Sequence, residues 1–352
     1  MKKTLVALAV LAAGSAQAGI EIYNENKVSV NLKGDIEVVY LKDVTDGSEF
    51  QQQIQDADFG FDTRYTINDD LQFGAYWEFD GANDSVTKGT STAAGVGNTY
   101  VAIYSQTAGS LKVGRLDTIF DDAGIGSDYQ FGINSFFSNG SPFGGDEAVR
   151  YDLDKGSFYG GIAYKQDKNG NNKLGKDGHM VDAKIGGRVA DFDFTGFYGQ
   201  AEFKGDLNTT PAANPKDGDK ESMWAVEARY AGVENLNLAL AYYSMNHKPK
   251  TGDDMTDNTV AFAADYTLNQ IIFAAGVSQT SLDKAQSASS VDNSTYDKVL
   301  GWYVNAGYLV APGATIYAEV GGNDGYTDVG TTANPNIQQN GTGFALGVKA
   351  EF

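Results

Sequence analysis

The sequence contains no cysteine and only two histidines, His179 and His247. The first absence excludes disulfide scaffolds, thiolate metal sites and cysteine nucleophiles. The second leaves almost nothing for a histidine-based zinc or catalytic centre, and no metal or other cofactor is expected. Cationic side chains are scarce as well: 26 Lys and Arg stand against 46 Asp and Glu, a formal charge of −20. That balance argues against a nucleic-acid partner, which needs a basic face to displace phosphate counterions. Hydrophobic content, 41 %, lies below the usual range of a soluble globular chain. No apolar run after the N-terminal region is long enough for a transmembrane helix. What the 352 residues do have is 43 Gly, 20 Tyr, 19 Phe and 3 Trp.

The N-terminus reads as an export signal. Met1-Lys2-Lys3 is a short basic start, Thr4 to Ala13 is apolar but too short to span a bilayer, and Ala16-Gln17-Ala18 offers a small-x-small cleavage pattern. Residues 1–18 are therefore expected to be removed, leaving residues 19–352 as one domain. Loss of Lys2 and Lys3 takes the formal charge from −20 to −22.

Beyond that point the chain alternates. Leu71, Phe73, Ala75, Trp77 and Phe79 are apolar, while Gln72, Gly74, Tyr76, Glu78 and Asp80 between them are mostly polar or small. A period of two is the mark of a strand with two different environments. The same pattern predicts sixteen strands: 27–42, 51–67, 70–81, 97–107, 109–117, 147–154, 157–167, 179–189, 191–204, 219–231, 235–247, 256–267, 270–283, 295–310, 313–323 and 341–352. Short turns alternate with long polar loops at 43–50, 82–96, 118–146, 168–178, 205–218, 248–255, 284–294 and 324–340. An even strand count with short turns on one rim and long loops on the other is the outer-membrane barrel pattern. A soluble β-sandwich also alternates, but its inner faces favour branched aliphatics. Here the polar face is rich in Gly, Ala, Asn and charge, and is expected to line water. The last strand sets Phe344, Leu346, Val348, Ala350 and Phe352 on one face and stops on the aromatic. That ending resembles the signal read by the outer-membrane barrel insertion machinery.

Several motifs now point the same way. The frame Gly60-Phe61, Ile67-Asn68-Asp69, Leu71, Gly74 and Trp77-Glu78-Phe79 resembles the second hairpin of the Gram-negative general, non-specific porins. Val113-Gly114-Arg115 is similar to the aromatic-Gly-Arg closing that family's fifth strand, and Pro142-Phe143-Gly144-Gly145-Asp146 to its third loop. Glu21 to Asn24 and the terminal Phe352 match as well. The resemblance implies an all-β, 16-stranded antiparallel transmembrane barrel with loop 118–146 folded inward as a constriction. It implies a homotrimer in the outer membrane of a Gram-negative bacterium, embedded in lipid bilayer and lipopolysaccharide and inserted by the barrel assembly machinery. The function it implies is passive passage of small hydrophilic solutes and ions.

In the resembled family, acids on the third loop face a basic cluster on the opposite wall. The acids are here: Asp117, Asp121, Asp122, Asp128, Asp146 and Glu147. The family's Glu before Phe-Gly-Gly falls at Pro142, with Asp128 as candidate replacement. The basic wall departs. Its expected cations fall at Asp35, Asp58 and Tyr100, and Asp62 adds a further acid. Arg64, Arg115 and Arg150 remain as candidate cations. Parity sends Arg64 and Arg150 inward, whereas Arg115 shares the parity of Leu111 and Val113. The expectation is a constriction more negative than usual and a cation-favouring pore. A solute-specific channel stays open, because Tyr76, Tyr100, Tyr159, Tyr243 and Tyr303 have inward parity. An enzyme is not expected: two histidines beside loop ends make no catalytic set. Asp167 to Gly175 looks faintly like a calcium loop but lacks the closing acid, and reads as a loop.

Overall fold

The computed structural model describes residues 19–81, 95–133, 143–170, 174–205, 217–282, 298–328 and 337–352. The predicted signal 1–18, most of loop 82–96 and Pro142 lie outside the described residues.

Sixteen strands form the wall. They are β2 (Val28–Lys42), β3 (Gln51–Thr66), β4 (Leu71–Asp80), β5 (Gly95–Ser105), β6 (Gly109–Asp117), β7 (Gly144–Asp154), β8 (Phe158–Asp167) and β9 (Gly178–Val189). They continue as β10 (Phe192–Glu202), β11 (Lys220–Val233), β12 (Leu236–Lys248), β13 (Met255–Leu268), β14 (Ile271–Ser281), β15 (Lys298–Ala311), β16 (Ala314–Asn323) and β19 (Thr342–Glu351). Each pairs antiparallel with its neighbour, and β19 returns to β2 from Phe344↔Lys42 to Glu351↔Asp35. The sheet is thus closed and leaves no edge, the condition for a strand structure to sit in lipid.

The alternation predicts every one of these strands to within a few residues. It misses β1 (Ile20–Glu25), too short to display its period. β1 turns through Asn26 and Lys27, both at positive φ (54° and 66°), and pairs back on β2 from Ile20↔Leu32 to Glu25↔Val28. Two consecutive positive φ values make the tight hairpin whose twist suits a sheet. β1 and β19 lie end to end along β2, and Gly34 and Phe352 exchange backbone hydrogen bonds of 2.8 and 2.9 Å at the junction. A small hairpin of β17 (Tyr326–Asp328) and β18 (Ile337–Gln339), also unpredicted, rises from the loop after β16.

Outward positions carry the apolar rows. Ile185 is 74 % exposed, Leu346 58 % and Trp77 51 %, as are dozens of similar side chains all round the wall. Such a belt would aggregate in water and is at home only in lipid. No helix among the described residues is long and apolar enough to cross a membrane, so the strands do the spanning.

The inner face differs from expectation in one half. There Ala163, Met180, Phe197, Met223, Ala225, Ala241, Met245, Ala261 and Ala263 of β8–β13 are buried, not wet. They pack against Ile119, Phe120, Ala123 and Ile125, which belong to the segment between β6 and β7, and against Phe143. Each large side chain so buried contributes about 1.5–3 kcal/mol. Small residues make the room: the Phe120 ring lies on Gly199, where an added Cβ would meet it at 2.9 Å, and Ile119 lies on Gly161 at 2.7 Å. The barrel's only sizeable hydrophobic core among the described residues is therefore inside it, between wall and loop.

Candidate pore constriction

Segment 118–133 leaves the top of β6 and runs round the inner wall, held at each step by a wall side chain. Phe120 N donates to Asp182 of β9 at 2.9 Å. Gly124 N donates to Glu227 of β11 at 2.7 Å, and Ser127 N to the Tyr303 hydroxyl of β15 at 2.8 Å. Glu319 of β16 accepts three successive backbone amides, Tyr129 at 2.6 Å, Gln130 at 2.9 Å and Phe131 at 2.7 Å. Gln130 then reaches Glu37 of β2 at 2.7 Å, and Tyr129 stacks on Tyr317 with ring centroids 3.8 Å apart. A loop without regular structure has no internal ladder for its amides, so buried carboxylates supply the acceptors. Thus one side of the lumen is filled.

The open space lies on the other side, against β2–β6. A cavity of about 450 Å³ is lined there by the wall carboxylates Asp35, Asp58 and Glu78, with Tyr76 and Tyr100. Facing them are Asp117, Asp121 and Asp122 at the root of the loop, with Arg150. Lys33, Lys112 and Glu351 complete the charged lining, so seven acidic side chains meet three cations.

The cations are largely occupied. Arg150 donates to Asp122 at 2.5 Å, to Asp152 at 2.8 and 3.0 Å, and to the Thr118 carbonyl at 3.0 Å. It is less a free charge than a pin joining loop root to wall. Lys184, unforeseen in the sequence, also bonds Asp122. Lys33 pairs with Asp62 at 3.6 Å. Lys112 makes no ion pair among the described residues and stands 5.4 Å over the Tyr100 ring. Of the acids, Asp35 pairs with Lys349 at 3.5 Å, whereas Asp58, Glu78, Asp117 and Asp121 have no ion pair among the described residues, and Asp58 Oδ1 is buried without a hydrogen-bond partner. Asp121 is exposed to the lumen, yet partial desolvation and then the Asp117 and Asp122 carboxylates push its carboxyl up to about 6.

Seven of the thirteen candidate charge-lining residues thus meet in one place: Asp35, Asp58, Tyr100, Asp117, Asp121, Asp122 and Arg150. Asp62 and Arg64 form a bidentate pair of 3.1 and 2.9 Å on the same face, one layer nearer the short turns. Four candidates lie elsewhere. Asp128 folds over Gly126 and Gly132 of its own segment. Glu147, at φ 59° in a bulge, accepts from Lys168 N at 3.0 Å and Asn169 Nδ2 at 2.5 Å. Asp146 and Arg115 pair with each other at 3.6 Å, with Arg115 opposite Thr99 and in register with the outward Leu111 and Val113. The bulge opposite Gly114–Leu116, with its extra residue in β7, sets where Asp146 and Glu147 point, which their place in the third loop did not reveal, whereas Arg115 keeps the parity of Leu111 and Val113. The cations overlooked, Lys33, Lys112 and Lys184, sit at plain inward parity with Asp35, beside Val113 and with Asp182, so the pattern did carry their signal. Phe344, Leu346 and Val348 of the terminal strand face outward, Ala350 follows on that row, and Phe352 closes on Gly34.

A profile for the Gram-negative porin family matches residues 4–348. The chain belongs to the Gram-negative porin family. It is a diffusion channel of the outer membrane, a closed barrel with a charge-lined cavity inside. Among curated proteins it resembles porin-like protein H of Photobacterium profundum, 28 % identical over 92 % of this chain and 95 % of that one. Among solved structures its barrel is similar to the trimer form of OmpT, an outer membrane protein of Vibrio cholerae (TM-score 0.72, 18 % identity, covering 93 % of this chain and all of that one). It is also similar to an anion-selective porin from Comamonas acidovorans (TM-score 0.68, 15 % identity, covering 92 % of this chain and all of that one). At such identities the likeness is one of fold, and selectivity has to be read from this chain's own lumen.

Proposed function

We propose that this porin favours cations, and that segment 118–133 with the β2–β6 wall forms its constriction. The observation that carries the reading is the pair of facing carboxylate sets: Asp35, Asp58 and Glu78 on the wall, Asp117, Asp121 and Asp122 opposite. Two of the region's three cations are taken up, Arg150 by Asp122 and Asp152 and Lys33 by Asp62, which leaves Lys112 against the acids. A field that is negative from both sides raises the local concentration of cations and repels anions. Passage is passive, with no catalytic step assigned to any residue. The reversal potential of a planar bilayer in a KCl gradient tests the selectivity. A potential of the sign set by K⁺ supports it, and one set by Cl⁻ overturns it.

A second reading has one observation behind it. Tyr76 and Tyr100 lie 5.5 Å apart on the open wall, with Lys112 over Tyr100 and Arg64 over Tyr104 at 4.3 Å. This aromatic strip could grip one solute class, and saturable current block by a single sugar or peptide would favour it. Tyr243 and Tyr303 take no part, being 1 % and 0 % exposed beneath the loop.

The assembly we infer is a homotrimer joined through β2, β5, β6 and loop 82–96. In support, the outward rows of β5–β7 give way to Thr99 and the Arg115–Asp146 pair, groups that a lipid tail tolerates poorly and a partner subunit would cover. Cleavage after Ala18, recognition of the Phe344–Phe352 strand by the barrel assembly machinery, and contact with lipopolysaccharide complete the reading. Cross-linking through residues introduced at Thr99 tests the assembly, expecting a ladder of two and three chains.

A further inference from the structure

We propose that residues 129–131 of the inward segment act as a strap across the barrel's seam, the line along β2 where the two ends of the chain meet. The strap makes closure of the wall depend on the segment. It holds whichever ions pass.

The seam is the weak line of the wall. Every other pair of neighbouring wall strands is consecutive in the chain, whereas β19 and β2 lie at its opposite ends and no turn or loop joins them. Bringing such distant strands together costs closure entropy that contacts across the seam must outweigh. One edge of β2 is shared between two partners, β1 from Ile20↔Leu32 to Glu25↔Val28 and β19 from Phe344↔Lys42 to Glu351↔Asp35. On the other edge the register with β3 slips between Glu37 and Val38, and a bulge of this kind disrupts the ladder locally. Inside the lumen β19 has little to grip with, because its inward row begins Gly343, Ala345 and Gly347.

The strap crosses that bare strand. Tyr317 of β16 lies over Gly347, where an added Cβ would meet its ring at 2.3 Å, and its hydroxyl donates to Glu37 of β2 on the far side. Gln130 Nε2 donates to the same carboxylate at 2.7 Å and to the Tyr317 hydroxyl at 3.0 Å. Phe131 lies over Gly321 of β16 and Gly343 of β19, where added Cβ atoms would meet it at 2.6 and 2.2 Å. Val39 and Leu41 of β2, Tyr317 of β16, Ala345 of β19, and Tyr129 and Phe131 of the segment thus form a small core of their own. Glu37 is buried, so its two donors act on a carboxylate little screened by water. The anchors at Asp182, Glu227 and Tyr303 each tie the segment to one strand. Here it joins three, on both sides of the seam.

Hydrogen exchange of the whole protein in detergent, read by mass spectrometry, tests the strap. The variant Q130A/Y317F removes both donors to Glu37 and keeps the backbone amides on Glu319. Its seam amides, 38–41 in β2 and 345–348 in β19, should exchange about tenfold faster than in the native chain, while the β9–β10 hairpin stays native. A lock then separates fastening from packing. The chain has no cysteine, so V38C/V348C places a disulfide across the seam with no competing thiol. The heat stability lost in Q130A/Y317F should be restored by that lock and not by V101C/V113C, which bridges the β5–β6 hairpin. Native exchange at the seam of Q130A/Y317F overturns the proposal. Faster exchange spread evenly over the wall, or a stability loss that the seam lock leaves in place, overturns it in favour of a loop that only packs on the wall.

Discussion

The two halves of the inner wall are built from the same alternation and do opposite jobs. Along β8–β13 the inward row is Ala, Met, Phe and Tyr, punctuated by Asp182 and Glu227, and with Glu319 of β16 it holds a loop. Along β2–β6 the inward row is Gly, Tyr and charge, and it borders an open cavity. Carboxylates occur in both, so their number says little. On the packed side Asp182, Glu227 and Glu319 accept backbone amides of the loop and act as anchors. On the open half Asp58 and Asp121 lack ion pairs among the described residues and act as field. Environment, more than residue type, separates structure from selectivity.

The comparison can be broken most forcefully on the packed half. Glu319→Ala strips the acceptor from three backbone amides, each orphaned group costing about 1–3 kcal/mol. The barrel should lose heat stability on a gel shift assay, and single channels should become larger and noisier as the segment lifts. Gly199→Val follows, since the new side chain drives into the Phe120 ring; overpacking costs about 1–3 kcal/mol, read in the same assay.

Changes on the open half should spare stability and move selectivity. Asp58→Asn with Glu78→Gln and Asp121→Asn removes three facing charges. The K⁺ to Cl⁻ permeability ratio should fall by about twofold to fourfold at low salt and less at high salt. A smaller effect comes from pH alone. The Asp121 carboxyl, at about 6, is ionised at neutrality and becomes protonated as pH falls through that value. Cation preference should therefore weaken between pH 7 and 5, and this step should vanish in Asp121→Asn. Smallest of all, Asp128→Asn and Glu147→Gln should leave the ratio unchanged, because neither side chain reaches the cavity.

The strands were legible because lipid demands an unbroken apolar row, and rows such as Trp224, Val226 and Ala228 display it. The wall candidates Asp35, Asp58 and Tyr100 were legible through the family resemblance, with parity agreeing at Asp58 and Tyr100. Asp146 and Glu147 were candidates by their place in the third loop, which says nothing of where they point. The extra residue near Arg115 and the positive φ at Glu147 turn Asp146 and Glu147 away from the lumen. The packed half was misread as wet because Ala and Gly look the same in a row whether they face water or make room for Phe120. Only the loop's course separates those cases, and an irregular loop leaves no period in the sequence.

The most direct test of the account is the zero-current potential of the native channel across a tenfold KCl gradient at pH 7.5. The account predicts a potential of the sign set by K⁺, reduced in the channel lacking the Asp58, Glu78 and Asp121 charges. A potential near zero or of the sign set by Cl⁻ in the native channel would contradict it.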